Sequence, residues 1–188
     1  MTASWLRAFD VLLSLIGLVA TSPLLLVIAI AGLVDTGSPF FVQQRVGRFG
    51  KPFMLIKFRT MRPDTASVAT HLVSAASITR LGRYLRGSKL DELPQLWNVL
   101  VGDMSLVGPR PCLPQQEELI NERMTRGVYA ARPGITGLAQ IRGIDMSTPK
   151  QLAEVDAKML EMLNPATYFR YLVLTLLGRG IGDRVRPQ

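Results

Sequence analysis

Residues 11–34 read VLLSLIGLVATSPLLLVIAIAGLV, a run without one charged side chain, set between Asp10 and Asp35. About 20 apolar residues are enough to cross the hydrocarbon of a bilayer as a helix. A secretory leader fits poorly, because its apolar core is about 7–15 residues long. Only Arg7 precedes the run, and Ala29 and Ala31 merely imitate a cleavage site. Ser22-Pro23 falls in its middle. Proline removes a backbone donor and crowds the preceding turn, and serine can bond back to a freed carbonyl. Two topologies follow: a kinked span, or a helix-break-helix that enters and leaves on one face. On these residues alone the ordinary span is expected, since kinked spans are common. Arg45, Arg48 and Lys51 follow the run, against one arginine before it. That bias puts the rest of the chain in the cytoplasm under either topology.

The rest is a single domain's worth of sequence within 188 residues. Net charge is +8, and arginine supplies most of the cations. Such an excess suits an anionic partner: phosphate, nucleic acid or an acidic lipid surface. A hydrophobic content of 48% argues against disorder. The lone cysteine, Cys112, excludes an internal disulfide and reads as a packing thiol. The lone histidine, His71, excludes His-pair metal sites and weakens any Ser-His-Asp reading.

Working outward from the run, Asp35-Thr36-Gly37-Ser38-Pro39 is a turn-rich boundary, giving an N-terminal unit 1–36 and a second unit 37–188. Phe40 to Val46 and Phe53 to Arg59 alternate as strands and predict a β-hairpin across Gly47 to Pro52. Lys57 and Arg59, two apart, share a strand face, either solvated or phosphate-binding. Residues 62–76 are small and polar and read as a loop, a candidate lid. From Ser77 a helix is expected, on which Arg80, Arg83 and Arg86 form a stripe facing solvent, lipid headgroups or phosphate. Ser88-Lys89-Leu90-Asp91 resembles a capping box, and Leu93, Leu96, Trp97 and Leu100 supply the apolar face of the next helix. Pro94 fits its first turn. Asp91 and Glu92 therefore stand near a helix N-terminus, where Asp91 either only caps or does chemistry. Adjacent carboxylates can hold a divalent metal or supply a nucleophile. Two arginines, Arg110 in Gly108-Pro109-Arg110-Pro111 and Arg132 in Arg132-Pro133-Gly134, sit beside prolines that stiffen the backbone. A rigid guanidinium fork suits phosphate. Helices are expected from Pro114 to about Arg126, from Thr148-Pro149 to Asn164-Pro165, and from Tyr168 to Leu177, with Arg179, Arg184 and Arg186 behind the last. The whole predicts an α+β fold, predominantly helical with a small β-hairpin.

KFRTM (57–61), SKLDELPQLWNVLVGDMSLVGPRP (88–111) and RPGITGLAQ (132–140) resemble the bacterial sugar transferases, the monotopic phosphoglycosyl transferases, over nearly the whole chain. The length resembles minimal members of that family; larger ones add membrane helices in front. The resemblance implies transfer of a sugar-1-phosphate from a UDP-sugar to polyprenyl phosphate, releasing UMP, as the first membrane step of glycoconjugate assembly. It implies that the N-terminal helix is re-entrant, broken at Ser22-Pro23, with interfacial helices against the cytoplasmic face of the bacterial inner membrane. That replaces the ordinary span as the expected topology. It further implies Asp91 as the nucleophile that forms an aspartyl phosphosugar, and Glu92 as a ligand of Mg2+. Arg110 and Arg132 become candidates for diphosphate charge, and Arg83, Arg86, Lys57 and Arg59 for the lipid phosphate or nucleotide. No nucleic acid is expected as a partner.

One departure stands out. Many members have an Asn-Gly-Arg-Asn-like sequence where residues 142–145 read Arg-Gly-Ile-Asp. Arg142 then supplies the charge from another loop geometry, or the sugar differs. The competing reading is a non-enzymatic, basic, membrane-anchored binding module, in which Asp91 only caps.

Overall fold

The computed structural model describes residues 4–65 and 77–179. Residues 66–76 of the candidate lid (62–76), His71 among them, and Arg184 and Arg186 lie outside them. The described chain is predominantly helical. Helix α1 (Ser4–Thr36) leads into strands β1 (Phe40–Val46) and β2 (Pro52–Phe58), then α2 (Arg80–Ser88), α3 (Gln95–Val101), β3 (Ser105–Val107), α4 (Glu117–Thr125), β4 (Gly134–Thr136), α5 (Leu138–Arg142), α6 (Pro149–Glu161) and α7 (Pro165–Leu176).

The apolar run forms one helix of 33 residues with Pro23 inside it, about 50 Å of rise if straight. The backbone stays helical through Ser22-Pro23, so the interruption expected there is a missing hydrogen bond, not a loop. Pro23 cannot donate to the carbonyl four residues back, that of Val19. Ser22 Oγ donates to Val19 O instead, at 2.8 Å. Thr21 Oγ1 does the same for Gly17 O at 2.7 Å. The dipeptide thus repairs within the helix the acceptor that proline orphans, as an apolar medium demands.

Much of α1 is uncovered: Ile16, Val19, Leu26, Val27 and Val34 are exposed. One side is packed along its length. Arg7 donates to Val99 O at 2.6 Å and Leu100 O at 2.8 Å, satisfying two terminal carbonyls of α3. Asp10 is buried against β3 and α7. Gly17 faces Leu96 of α3. Ile28 packs with Phe58 and Leu85, near the far end.

Strands β1 and β2 form the expected antiparallel hairpin, with Phe41 opposite Lys57 and Gln43 opposite Leu55. Alternation puts Phe41, Gln43, Arg45, Phe53, Leu55 and Lys57 on one face. Asn98 docks α3 on β2: its Nδ2 donates to Met54 O (2.8 Å) and its Oδ1 accepts from Ile56 N (3.0 Å). The KFRTM segment runs under α2. Thr79 N donates to Thr60 O at 3.1 Å, and a Cβ on Gly82 would lie 2.0 Å from that oxygen. Only glycine permits this approach.

Sequence reading missed one pairing. The two proline-arginine segments meet as a short parallel ladder, with Ser105 opposite Gly134 and Val107 opposite Thr136. A Cβ on Gly134 would sit 2.0 Å from Gly108 N, so the second glycine lets the strands close. Three-residue strands carry too little alternation to be read from sequence. The main core, around Val99, Met104, Val107, Leu138, Met159 and Tyr168, lies between this ladder, α3, α6 and α7.

Two expectations are corrected. The helix after the loop begins at Arg80, with Thr79 as N-cap accepting from Gly82 N, because Ile78 is held in a β-bridge to Met61. Ser88 is no cap: it is the last residue of α2, and its Oγ donates back to Tyr84 O at 2.9 Å.

Candidate active site

Asp91 and Glu92 sit on one 3-10 turn, Leu90–Glu92, between α2 and α3. Lys89 enters it in the left-handed region, at φ 59°, which closes α2 and turns the chain sharply. For a non-glycine residue such backbone is strained and collects at functional sites. The turn packs on α2 and on β2. It buries Asp91 to 3% exposure, far from the solvated position of a simple surface cap. Pro94 is the N-cap of α3, one position before the first turn in which the sequence reading put it.

Glu92 accepts from Arg110 Nη2 at 2.7 Å, with side-chain exposures of 11% and 23%. A charge-assisted contact of that length fixes both groups. Arg110 also lines a cleft with Arg45, Leu55, Lys57, Gln95 and Pro111. Lys57 is buried, with its Nζ 5.6 Å from the centre of the Phe41 ring. The structure thus gathers three cations, Arg110, Lys57 and Arg45, in one cleft, and Arg110 joins that cleft to the turn with the two carboxylates. Such a set of cations can receive an anionic, multiply charged group.

The other predicted cations fall elsewhere. Arg86 borders the site from α2 and donates through Nε to Thr60 Oγ1 at 2.8 Å. Arg59 ties down the connection from α1 to β1, reaching Ser38 O (3.2 Å) and Phe40 O (3.3 Å), while its guanidinium shares the Phe41 ring with Lys57. Arg83 is exposed on α2, and Arg142 is exposed at the end of α5. Arg132 turns toward the head of α1. Its Nε donates to Gly102 O at 2.8 Å, and it lines a small cavity with Arg7 and Asp10. Burial lowers its pKa from the ordinary arginine value, and Arg48 and Arg7 add to this. The two proline-flanked arginines therefore serve different places.

Gln95 was not named from sequence, and Arg45 only as one of the cations that follow the apolar run. Arg45 shares its strand face with Lys57, but that follows only once the hairpin register is known. Among the described residues no group of three or more His, Cys, Asp or Glu side chains could enclose a metal. A magnesium ion asks less, since it is commonly held by one or two carboxylates together with substrate phosphates. The Asp91-Glu92 pair is of that kind, with Glu92 Oε1 bonded to Arg110.

The sequence pattern described as bacterial sugar transferase matches residues 1–179. An uncharacterised sugar transferase of Bacillus subtilis, EpsL, is 42% identical over 80% of this chain and 74% of its own length. The UDP-glucose:undecaprenyl-phosphate glucose-1-phosphate transferase of Caulobacter vibrioides is 44% identical over 73% of this chain and 54% of its own. The undecaprenyl-phosphate galactose phosphotransferase of Salmonella typhimurium is 38% identical over 73% of this chain, but only 32% of its own length.

Proposed function

The chain belongs to the bacterial sugar transferase family, and on that premise we propose that it moves a sugar-1-phosphate from a UDP-sugar to polyprenyl phosphate. The observation that carries the reading is the buried Asp91 on the same turn as Glu92, whose partner Arg110 lines a cleft with Lys57 and Arg45. In the first step a carboxylate oxygen of Asp91 attacks the β-phosphorus of the donor. An Asp91–phosphorus bond forms, the bond to the UMP oxygen breaks, and UMP leaves with that electron pair. In the second step a phosphate oxygen of the lipid attacks the same phosphorus and returns the carboxylate. An acyl phosphate is reactive enough for this, and the lipid phosphate is already anionic near neutral pH. No histidine base is required.

Arg110, Lys57 and Arg45 would balance the diphosphate charge. A bound Mg2+, which Glu92 would hold, would supply Lewis-acid neutralisation of the leaving phosphate. On this reading Glu92→Gln weakens the metal dependence, raising the Mg2+ concentration for half-maximal turnover about 10–100-fold. An unchanged magnesium titration removes Glu92 from the metal's shell.

UMP release from UDP-glucose, UDP-galactose and UDP-N-acetylglucosamine with undecaprenyl phosphate tests the reaction. Release of UDP instead would mean direct glycosyl transfer. Salt-dependent nucleic-acid binding with no nucleotide release would favour a basic binding module. The names of the relatives include both glucose and galactose, so the sugar is left to this panel. Arg142-Gly143-Ile144-Asp145 is the segment to exchange between donors.

The same reading places α1 re-entrant in the cytoplasmic leaflet of the inner membrane. What supports it is the packing of one charged body against both ends of the helix: Arg7 bonds α3 at the head, and Ile28 meets Phe58 and Leu85 near the foot. Those contacts are separated by about 30 Å of helical rise, the full thickness of the hydrocarbon. A true span would carry a charged domain through the bilayer. With Ser4→Cys, an impermeant thiol reagent is expected to label only from the cytoplasmic side. Labelling only from the periplasmic side would establish a span.

A further inference from the structure

Arg123 is buried to 1% exposure, and its partner Asp156 is fully buried. Arg123 Nε and Nη2 donate to Asp156 Oδ2 at 3.0 and 2.6 Å. Replacing such a pair by apolar side chains is often neutral or stabilising, so fold stability alone gives little reason for it. The third contact supplies one. Arg123 Nη1 donates to the carbonyl of Arg110 at 2.8 Å.

That carbonyl belongs to a rail. Four successive carbonyls accept from three elements, β4, α4 and β1: Pro109 O from Gly134 N (2.8 Å), Arg110 O from Arg123, Pro111 O from Arg45 Nη1 (3.2 Å) and Cys112 O from Val46 N (3.0 Å). Within this rail Arg110 carries the guanidinium that meets Glu92. Because Pro109 and Pro111 lack donors, acceptor contacts are the main means of fixing this backbone. Asp156, on α6, holds Arg123 in the rotamer that reaches it.

We propose that the buried Arg123–Asp156 pair is a positioning device for Arg110, setting its guanidinium against Glu92 and the donor diphosphate. Arg123 touches no reacting atom; it acts through Arg110. The inference rests on the proposed role of Arg110 and adds to it two residues remote from the cleft.

The test is a double-mutant cycle in the UMP-release assay, with the UDP-sugar that the panel identifies. Lysine at position 123 keeps a charge for Asp156 but is a single point donor, so it gives up the reach to Arg110 O. Arg123→Lys is expected to lower kcat about tenfold in the wild-type background. In an Arg110→Lys background, where the fork is already lost, the same change is expected to cost less than about twofold. A purely structural role predicts the same factor in both. Equal factors, or no loss in the wild type, overturn the proposal. Should Arg123→Lys lower the melting temperature by more than a few degrees, Arg123→Met with Asp156→Leu carries the same comparison without a buried charge. If Arg110→Lys itself turns over normally, Arg110 leaves the site and the positioning falls with it. If Arg110→Lys is impaired and the factors still multiply, only the positioning falls.

Discussion

Asp91→Asn is expected to abolish UMP release, with a fall in kcat on the order of 10^4-fold or more, the scale on which a lost nucleophile is felt. The substitution is nearly isosteric and retains an acceptor oxygen, so the turn Leu90–Glu92 and the left-handed Lys89 before it have no reason to move. What is lost is the anion. At 3% exposure Asp91 is largely stripped of water, and a carboxylate so placed exchanges hydration for fixed protein dipoles and cations. An amide cannot form the acyl phosphate. The accompanying observation is covalent: with donor alone and no lipid, intact-mass analysis of the wild type should show an added sugar phosphate, absent from Asp91→Asn. Turnover within tenfold of wild type, or an adduct of unchanged mass in the variant, would falsify the assignment. The melting temperature is the control, expected to stay within a few degrees.

The contrast between Asp91 and the residues around it shows what the sequence could and could not say. The hairpin and most helices were legible because alternation and 3.6-residue periodicity survive without tertiary context. So were Asp91, Glu92 and Arg110, through adjacency and flanking prolines. Their grouping was not: it depends on the hairpin register, on Asn98 joining α3 to β2, and on the ladder that brings 105–107 beside 134–136. Arg132 looked equivalent to Arg110 in sequence, yet it bonds Gly102 O behind α3 and lines the cavity at the head of α1. Ser88 matched a capping pattern but finishes the preceding helix, because Lys89 takes a left-handed conformation that the pattern does not encode. Arg123 shares a helix stripe with Leu119. An arginine there reads as surface until its partner, 33 residues away, is seen.

Asp10 offers the largest expected effect on stability. One of its oxygens, Oδ1, accepts from Ser105 Oγ (3.0 Å), Leu106 N (2.9 Å) and Tyr168 Oη (2.9 Å). Burial and the neighbouring carboxylate push the Tyr168 hydroxyl above its ordinary pKa, so it remains a donor at any working pH. Asp10→Ala leaves three buried donors without an acceptor. At about 1–3 kcal/mol for each, with partial relaxation, the expected cost is about 3–6 kcal/mol, a large share of the roughly 5–15 kcal/mol of a typical domain. In detergent the melting temperature should fall by about 10 °C or more. Asp10→Asn keeps an oxygen in nearly the same place and should lose less than half as much. An alanine variant no worse than the asparagine one would mean that charge, not acceptor count, holds the junction. Activity should follow for a separate reason. Leu106 begins the path through Val107 and Gly108 to Arg110, so a carboxylate on the membrane helix fixes the strand that delivers the cation to Glu92. Below its lowered melting temperature, Asp10→Asn is therefore expected to lose kcat modestly while binding the bilayer as tightly as wild type. Loss of membrane binding instead would make Asp10 an anchor residue and detach it from the site.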